Sequence, residues 1–155
     1  MSGLPQVLIS RQGRLGFYAD ALAQRARREL GRLAGRVGLD ERCELSLLLC
    51  DNPTMRRLNR RWRDIDRPTD VLSFPQQSLN VGDTPEPGPL GDIVVSLPTM
   101  RRDARRNGVA PEAHLSRLLA HGLLHLLGHD HARPTETRRM RACERELLGE
   151  GAYRG

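Results

Sequence analysis

The stretch His121-Gly122-Leu123-Leu124-His125-Leu126-Leu127-Gly128-His129-Asp130-His131 constrains this chain more than any other. His121 and His125 are four residues apart, which on a helix sets one above the other on the same face. The leucines around them make the segment apolar on nearly every side, the pattern of a buried helix and not of a surface one. Gly128 follows the last leucine and can take the left-handed conformation that ends a helix. The chain can then turn and bring His131 back toward the two helical imidazoles. Three neutral imidazoles converging on one point form a zinc-type donor set, and three protein ligands leave the fourth position open for water. One Zn2+ ion per chain in an open, catalytic type of site is the expectation.

A lone histidine on an apolar helix is usually a satisfied core residue, and two at this spacing occur often by chance. Four histidines within eleven residues, in a chain that has five, are a different case. His129 lies too close to the helix end to swing back easily, which favours His131 as the third ligand. His114 sits seven residues before His121, on the same face but about 10 Å away along the axis at 1.5 Å per residue. That is too far for a shared metal, and His114 reads as a structural or surface histidine. The spacing H-x-x-x-H-x-x-G-x-x-H is that of the metzincin proteases, which carry a glutamate after the first histidine as general base. Here that position is Gly122. A glycine cannot accept a proton, so peptide hydrolysis by that route loses its base.

A chain of 155 residues fits one domain with a single well-buried core. No apolar run is long enough to span a bilayer, and the N-terminus lacks a signal-peptide pattern, so a cytoplasmic, membrane-free protein is expected. Cys43, Cys50 and Cys143 form no C-x-x-C pair, which fits free, buried thiols in a reducing compartment. A net charge of +6 points toward a polyanionic partner such as nucleic acid. All 25 basic residues are arginine, however, a bias that suggests a GC-rich genome, so their placement says more than their number.

Taken in order, Gln6-Val7-Leu8-Ile9 suits a first strand. Leu22, Ala26, Leu30 and Leu33 then mark a helical stripe, broken by Gly35 and Gly38. Cys43 to Leu49 reads as a strand entering the core. Asp51 or Asn52 can cap the next helix, with Pro53 in its first turn and Met55, Leu58 and Trp62 as its stripe. That helix carries Arg56, Arg57, Arg60, Arg61 and Arg63, with Arg67 beyond its exit. Arg56, Arg60 and Arg63 share a face, whereas Arg57 and Arg61 read as solvated surface. Val71 to Pro75 is a short strand whose flanking prolines suit a sheet edge. Gln76 to Leu90 reads as a functional or mobile loop, and Gly91 to Ser96 as the fourth strand. Helices then begin near Pro98, Pro111 and Pro134, the first stopping at Asn107-Gly108 and the last carrying Met140, Cys143 and Leu147. The order β-α-β-α-β-β-α-α-α implies an α/β single domain: a four-stranded mixed sheet with about five helices, the buried histidine helix central among them.

His121-Gly122-x-x-His125-x-x-Gly128-x-Asp130-His131 resembles the terminal motif of the YbeY family, bacterial rRNA maturation factors also described as metal-dependent endoribonucleases. Arg63, Asp66 and Pro68-Thr69-Asp70-Val71-Leu72-Ser73-Phe74 look like that family's other marked stretch, and Gly91-Asp92-Ile93 a third. The likeness runs from the Leu47 strand to the last helix. It implies zinc ligands at His121, His125 and His131 and a functionally required arginine at Arg63. It also implies a role in maturing the 3′ end of small-subunit rRNA and in ribosome quality control, on single-stranded RNA. Arg56, Arg60 and Arg67 are candidate RNA contacts, and the small subunit, with its proteins, is the expected partner.

The residues themselves support the chemistry. Zinc can polarise a phosphoryl oxygen, and an arginine fork matches phosphate geometry. The general base is open among Asp130, Asp70 and Asp92. Two other readings stand beside the nuclease. One is a non-catalytic assembly factor in which zinc staples an RNA-binding fold; the other is a metallopeptidase with a base from elsewhere.

Overall fold

The structure, a computed structural model, describes residues 3–149. Its elements follow the expected order: β1 (Gln6–Gln12), α1 (Ala19–Arg36), β2 (Cys43–Cys50), α2 (Asn52–Arg63), β3 (Val71–Pro75), β4 (Gly88–Ser96), α3 (Leu97–Arg106), α4 (Pro111–Leu126) and α5 (Pro134–Leu148). The sheet runs β1-β2-β4-β3. β1, β2 and β4 are parallel, and β3 is antiparallel on the β4 edge. The expected mixed four-stranded sheet with five helices is present, and the proline-flanked strand lies at an edge as anticipated.

Side chains alternate across the sheet and sort into two cores. Leu45, Leu47 and Leu49 of β2 and Ile93 and Val95 of β4 face one side, where α1, α3, α4 and α5 bury them. Cys50, Leu72 and Val94 face the other, covered by Met55 of α2. This two-residue period is what a sheet with helices on both faces requires.

α4 is the hub of the larger core. It packs against α1, α3 and α5 and against β3 and β4. Leu115, Leu119 and Leu123 are essentially solvent-free, as expected of the buried histidine helix. The contact with the sheet is closest at Gly122. A Cβ there would stand 3.0 Å from Ile93 Cγ2 and 3.1 Å from Ser73 Oγ. The same Ser73 hydroxyl donates to the Gly122 carbonyl at 3.1 Å. Gly122 therefore faces the sheet, so the protease-type glutamate would meet packed strands in this fold. Gly122→Val should destabilise the protein by about 1–3 kcal/mol through overpacking, seen as a lowered urea midpoint; an unchanged midpoint would mean helix and sheet can separate freely.

Three expectations need correction. Trp62 does not anchor α2: it is 59% exposed, touching Phe74 edge-on, and the buried positions of the helix are Thr54, Met55 and Asn59. β4 begins at Gly88, so the long connection is shorter than Gln76 to Leu90. Cys143 is half-buried, while Cys43 and Cys50 are buried; all three are free. Burial pushes the Cys50 thiol up to about 12, which keeps it protonated and inert.

Candidate metal centre

The end of α4 is built by its glycine. Gly128 has φ +100, and the backbone N–H groups of Gly128 and His129 donate to the carbonyls of His125 and Leu124 at 3.1 and 3.0 Å. These paired bonds close the helix in a Schellman motif and reverse the chain. A Cβ on Gly128 would lie 2.5 Å from the Leu79 carbonyl oxygen, so the connection after β3 seats directly on this turn.

The reversal brings His131 back to the helix. His121, His125 and His131 each offer a ring nitrogen, all within 4.8 Å of one another. His125 Nε2 lies 3.1 Å from His121 Nε2. Two nitrogens bonded at about 2.0–2.1 Å to one tetrahedral ion stand roughly 3.3 Å apart, so this spacing suits a shared cation. His129 does not join the group, although it is buried beside it.

The electrostatics favour a neutral imidazole at His125. Burial, then the charges of His121 and His131, push His125 down to about 4. At neutral pH its ring is uncharged, so one nitrogen keeps a lone pair for a metal. Behind His121, Glu144 of α5 accepts from Nδ1 at 2.8 Å. That bond fixes the tautomer and aims Nε2 into the cluster, as carboxylates behind metal-binding histidines do. Glu144→Gln should weaken metal affinity by about 10- to 100-fold, measured by competition with a chromophoric chelator. Equal affinities would remove this role from Glu144.

The cluster opens into a cleft of about 740 Å³ lined in part by Arg63, Gln76, Gln77 and Asp130. Gln77 ties down the connection that forms one wall: its Nε2 donates to the Glu86 and Pro89 carbonyls, and its Oε1 accepts from the Glu86 N–H. Of the three carboxylates considered as bases, Asp130 lines this cleft, and Asp70 and Asp92 do not. Asp92 accepts from Gln76 instead, and Asp70 lies near His114 and Asp103.

The arginines separate by position. Arg63 is exposed at the cleft and has no carboxylate partner among the described residues. Its place comes from the exit of α2, where Asp64 adopts φ 59 and its N–H donates to the Arg60 carbonyl. Buried Asn59 holds that exit, accepting from the Ile65 N–H and donating through Nδ2 to the Arg67 carbonyl at 2.8 Å. Arg56 is engaged by Asp66 through Nε at 2.8 Å and Nη2 at 3.1 Å. Arg56, Arg57 and Arg60 line a neighbouring groove, and Arg67 is exposed beyond the helix. Asn59 and Glu144 were not singled out from the sequence. Asn59 could have been, as the polar residue four after Met55 on the packing face. Glu144 lies 23 residues from its histidine, and no local spacing marks it.

Fold and site together define an α/β protein in which a buried helix and the turn after it gather three histidines able to hold a metal. A family model described as "Endoribonuclease YbeY" matches residues 9–151. The chain belongs to the YbeY family. It is 58% identical over 107 residues to "Endoribonuclease YbeY" of Myxococcus xanthus, covering 69% of this chain and 36% of that one. It is 46% identical over 121 residues to the protein of that name from Nocardia farcinica, covering 75% of this chain and 66% of that one. The chain thus spans about a third of the first relative and about two-thirds of the second. A protein of Thermotoga maritima solved in solution shares the fold, with a TM-score of 0.56 at 24% identity over 93% of this chain and 91% of that one.

Proposed function

We propose that this chain is a zinc-dependent endoribonuclease that cuts single-stranded RNA. Its role is 3′-end maturation of small-subunit (16S) rRNA and ribosome quality control in the cytoplasm, in contact with the small subunit and its proteins. The observation that carries this reading is that Arg63, with no carboxylate partner among the described residues, lines the same cleft as the three imidazoles. Family membership supports it, since the relatives bear the name endoribonuclease. No helix among the described residues is long and apolar enough to cross a membrane.

His121, His125 and His131 are the residues that would hold the ion, and the nitrogen-rich donor set suits zinc. Bound zinc supplies Lewis acidity toward a phosphoryl oxygen and lowers the pKa of water from ~15.7 to ~7. The protein's own groups do the rest. Arg63 binds the scissile phosphate through its planar fork and stabilises the charge that grows on its oxygens during attack. Asp130, with Oδ1 accepting from the His131 N–H at 2.7 Å, is the carboxylate placed to take a proton. Arg60 and Arg67 meet flanking phosphates. Arg56 joins them by exchanging Asp66 for phosphate, a small cost because the pair is exposed and screened by solvent.

Incubation of the pure protein with rRNA fragments and with unfolded casein, with and without chelator, tests this reading. Chelator-sensitive cutting of RNA alone is expected. RNA binding without cutting would favour the zinc-stapled assembly factor, and casein cleavage would favour the metallopeptidase. RNA cutting that survives chelation would remove support for the metal-dependent nuclease.

A further inference from the structure

A second group of metal-ligating side chains lies outside the cleft. Asp70, just before β3, Asp103 of α3 and His114 of α4 each present one ligand atom, all within 4.8 Å of one another. The three come from separate elements and are partly buried. His114 makes this more than a pair of neighbouring acids. Both of its ring nitrogens are shut off from solvent, and neither has a hydrogen-bond partner among the described residues. A buried imidazole left unpaired is costly, and native structures rarely leave one so without an unseen ligand, ion or water.

We propose that Asp70, Asp103 and His114 form a second divalent-metal site, which takes a first-row transition ion such as Zn2+. One imidazole nitrogen and two carboxylate oxygens are a donor set for such an ion. Ca2+ and Mg2+ are better served by six or more oxygens. The carboxylates bring two negative charges toward the cation; Arg117 is nearby, and Arg102 pairs with Asp103 at 3.5 Å, an exposed contact that a bound ion can displace. A proton on His114 does not substitute for the metal, because burial, the largest influence on the ring, holds its pKa down despite both aspartates. The lone pair therefore stays available at neutral pH.

An ion here ties α3 and α4 to the start of β3. Val71, the next residue after Asp70, belongs to the wall of the three-histidine cleft. The second site is thus a staple for that wall and stands apart from the reacting groups. It holds or fails whether or not the chain cuts RNA.

The test is equilibrium dialysis of the metal-stripped full chain against Zn2+, with ions per chain counted by mass spectrometry. The expected counts are two for the unaltered protein, one for His114→Ala, one for His125→Ala and none for the double variant. Asp103→Asn, which keeps the shape of the side chain, is expected to bind one and guards against a fold lost in His114→Ala. Thermal unfolding adds a second readout. Zn2+ beyond one equivalent should raise Tm by several degrees in the unaltered protein and not in Asp103→Asn. Saturation of the unaltered protein at one ion, or two ions retained by both Asp103→Asn and His114→Ala, would overturn the proposal.

Discussion

Arg63→Ala is expected to cut RNA cleavage by roughly two to three orders of magnitude, because one donor positioned at developing charge is worth about 3–4 kcal/mol. Metal content should not change, since Arg63 is not in the histidine cluster. The size of the effect rests on two observations. Arg63 stands at the cleft, and no carboxylate among the described residues neutralises its fork. Arg63→Lys should not restore the rate, because an ammonium presents a point charge where the phosphate meets a plane of donors. Arg57→Ala is the control. Arg57 donates to Thr54 Oγ1 and lines the neighbouring groove, so its loss should weaken RNA binding modestly and lower the salt dependence by about one phosphate contact. Equal losses for Arg63→Ala and Arg57→Ala would reduce Arg63 to one surface charge among several.

The second large effect separates two histidines that are two residues apart. At one equivalent of zinc, His131→Ala should weaken binding by well over the roughly 10- to 100-fold typical of losing a partner behind a ligand. His129→Ala should leave zinc affinity near that of the unaltered protein. The reason is the Schellman turn: His129 spends its backbone N–H on the Leu124 carbonyl, and its ring stays outside the cluster. Two further residues complete the reversal and deliver His131. Metal analysis with the opposite pattern would refute this geometry.

Much of the frame was legible because its signals are local. Helical spacing placed His121 and His125 together, and a glycine after the last leucine marked the reversal. Prolines beside Val71–Pro75 marked an edge strand. What escaped the sequence depends on contacts between distant segments. The start of β4 was missed because Pro89 lacks an N–H and a register shift falls beside it, so Gly88-Pro89 reads as loop although it pairs with β2. Trp62 fits the apolar spacing of α2 as well as Asn59 does, and hydrophobicity favoured the wrong one. The helix buries the asparagine, because its side-chain amide donates to the Arg67 carbonyl and so holds the exit from which Arg63 projects. Glu144 and the Asp70, Asp103 and His114 group bring together residues from separate elements, which only the folded chain reveals.

The central claim is that the three histidines hold the ion on which RNA cleavage depends. The direct measurement is the cleavage rate of metal-stripped protein on single-stranded rRNA fragments as Zn2+ is titrated in. The account predicts a rate near zero without metal, rising in step with occupancy of the histidine cluster. In His125→Ala the same titration should give a flat line. Full-rate cleavage by the metal-stripped protein, or a His125→Ala response equal to that of the unaltered chain, would contradict it.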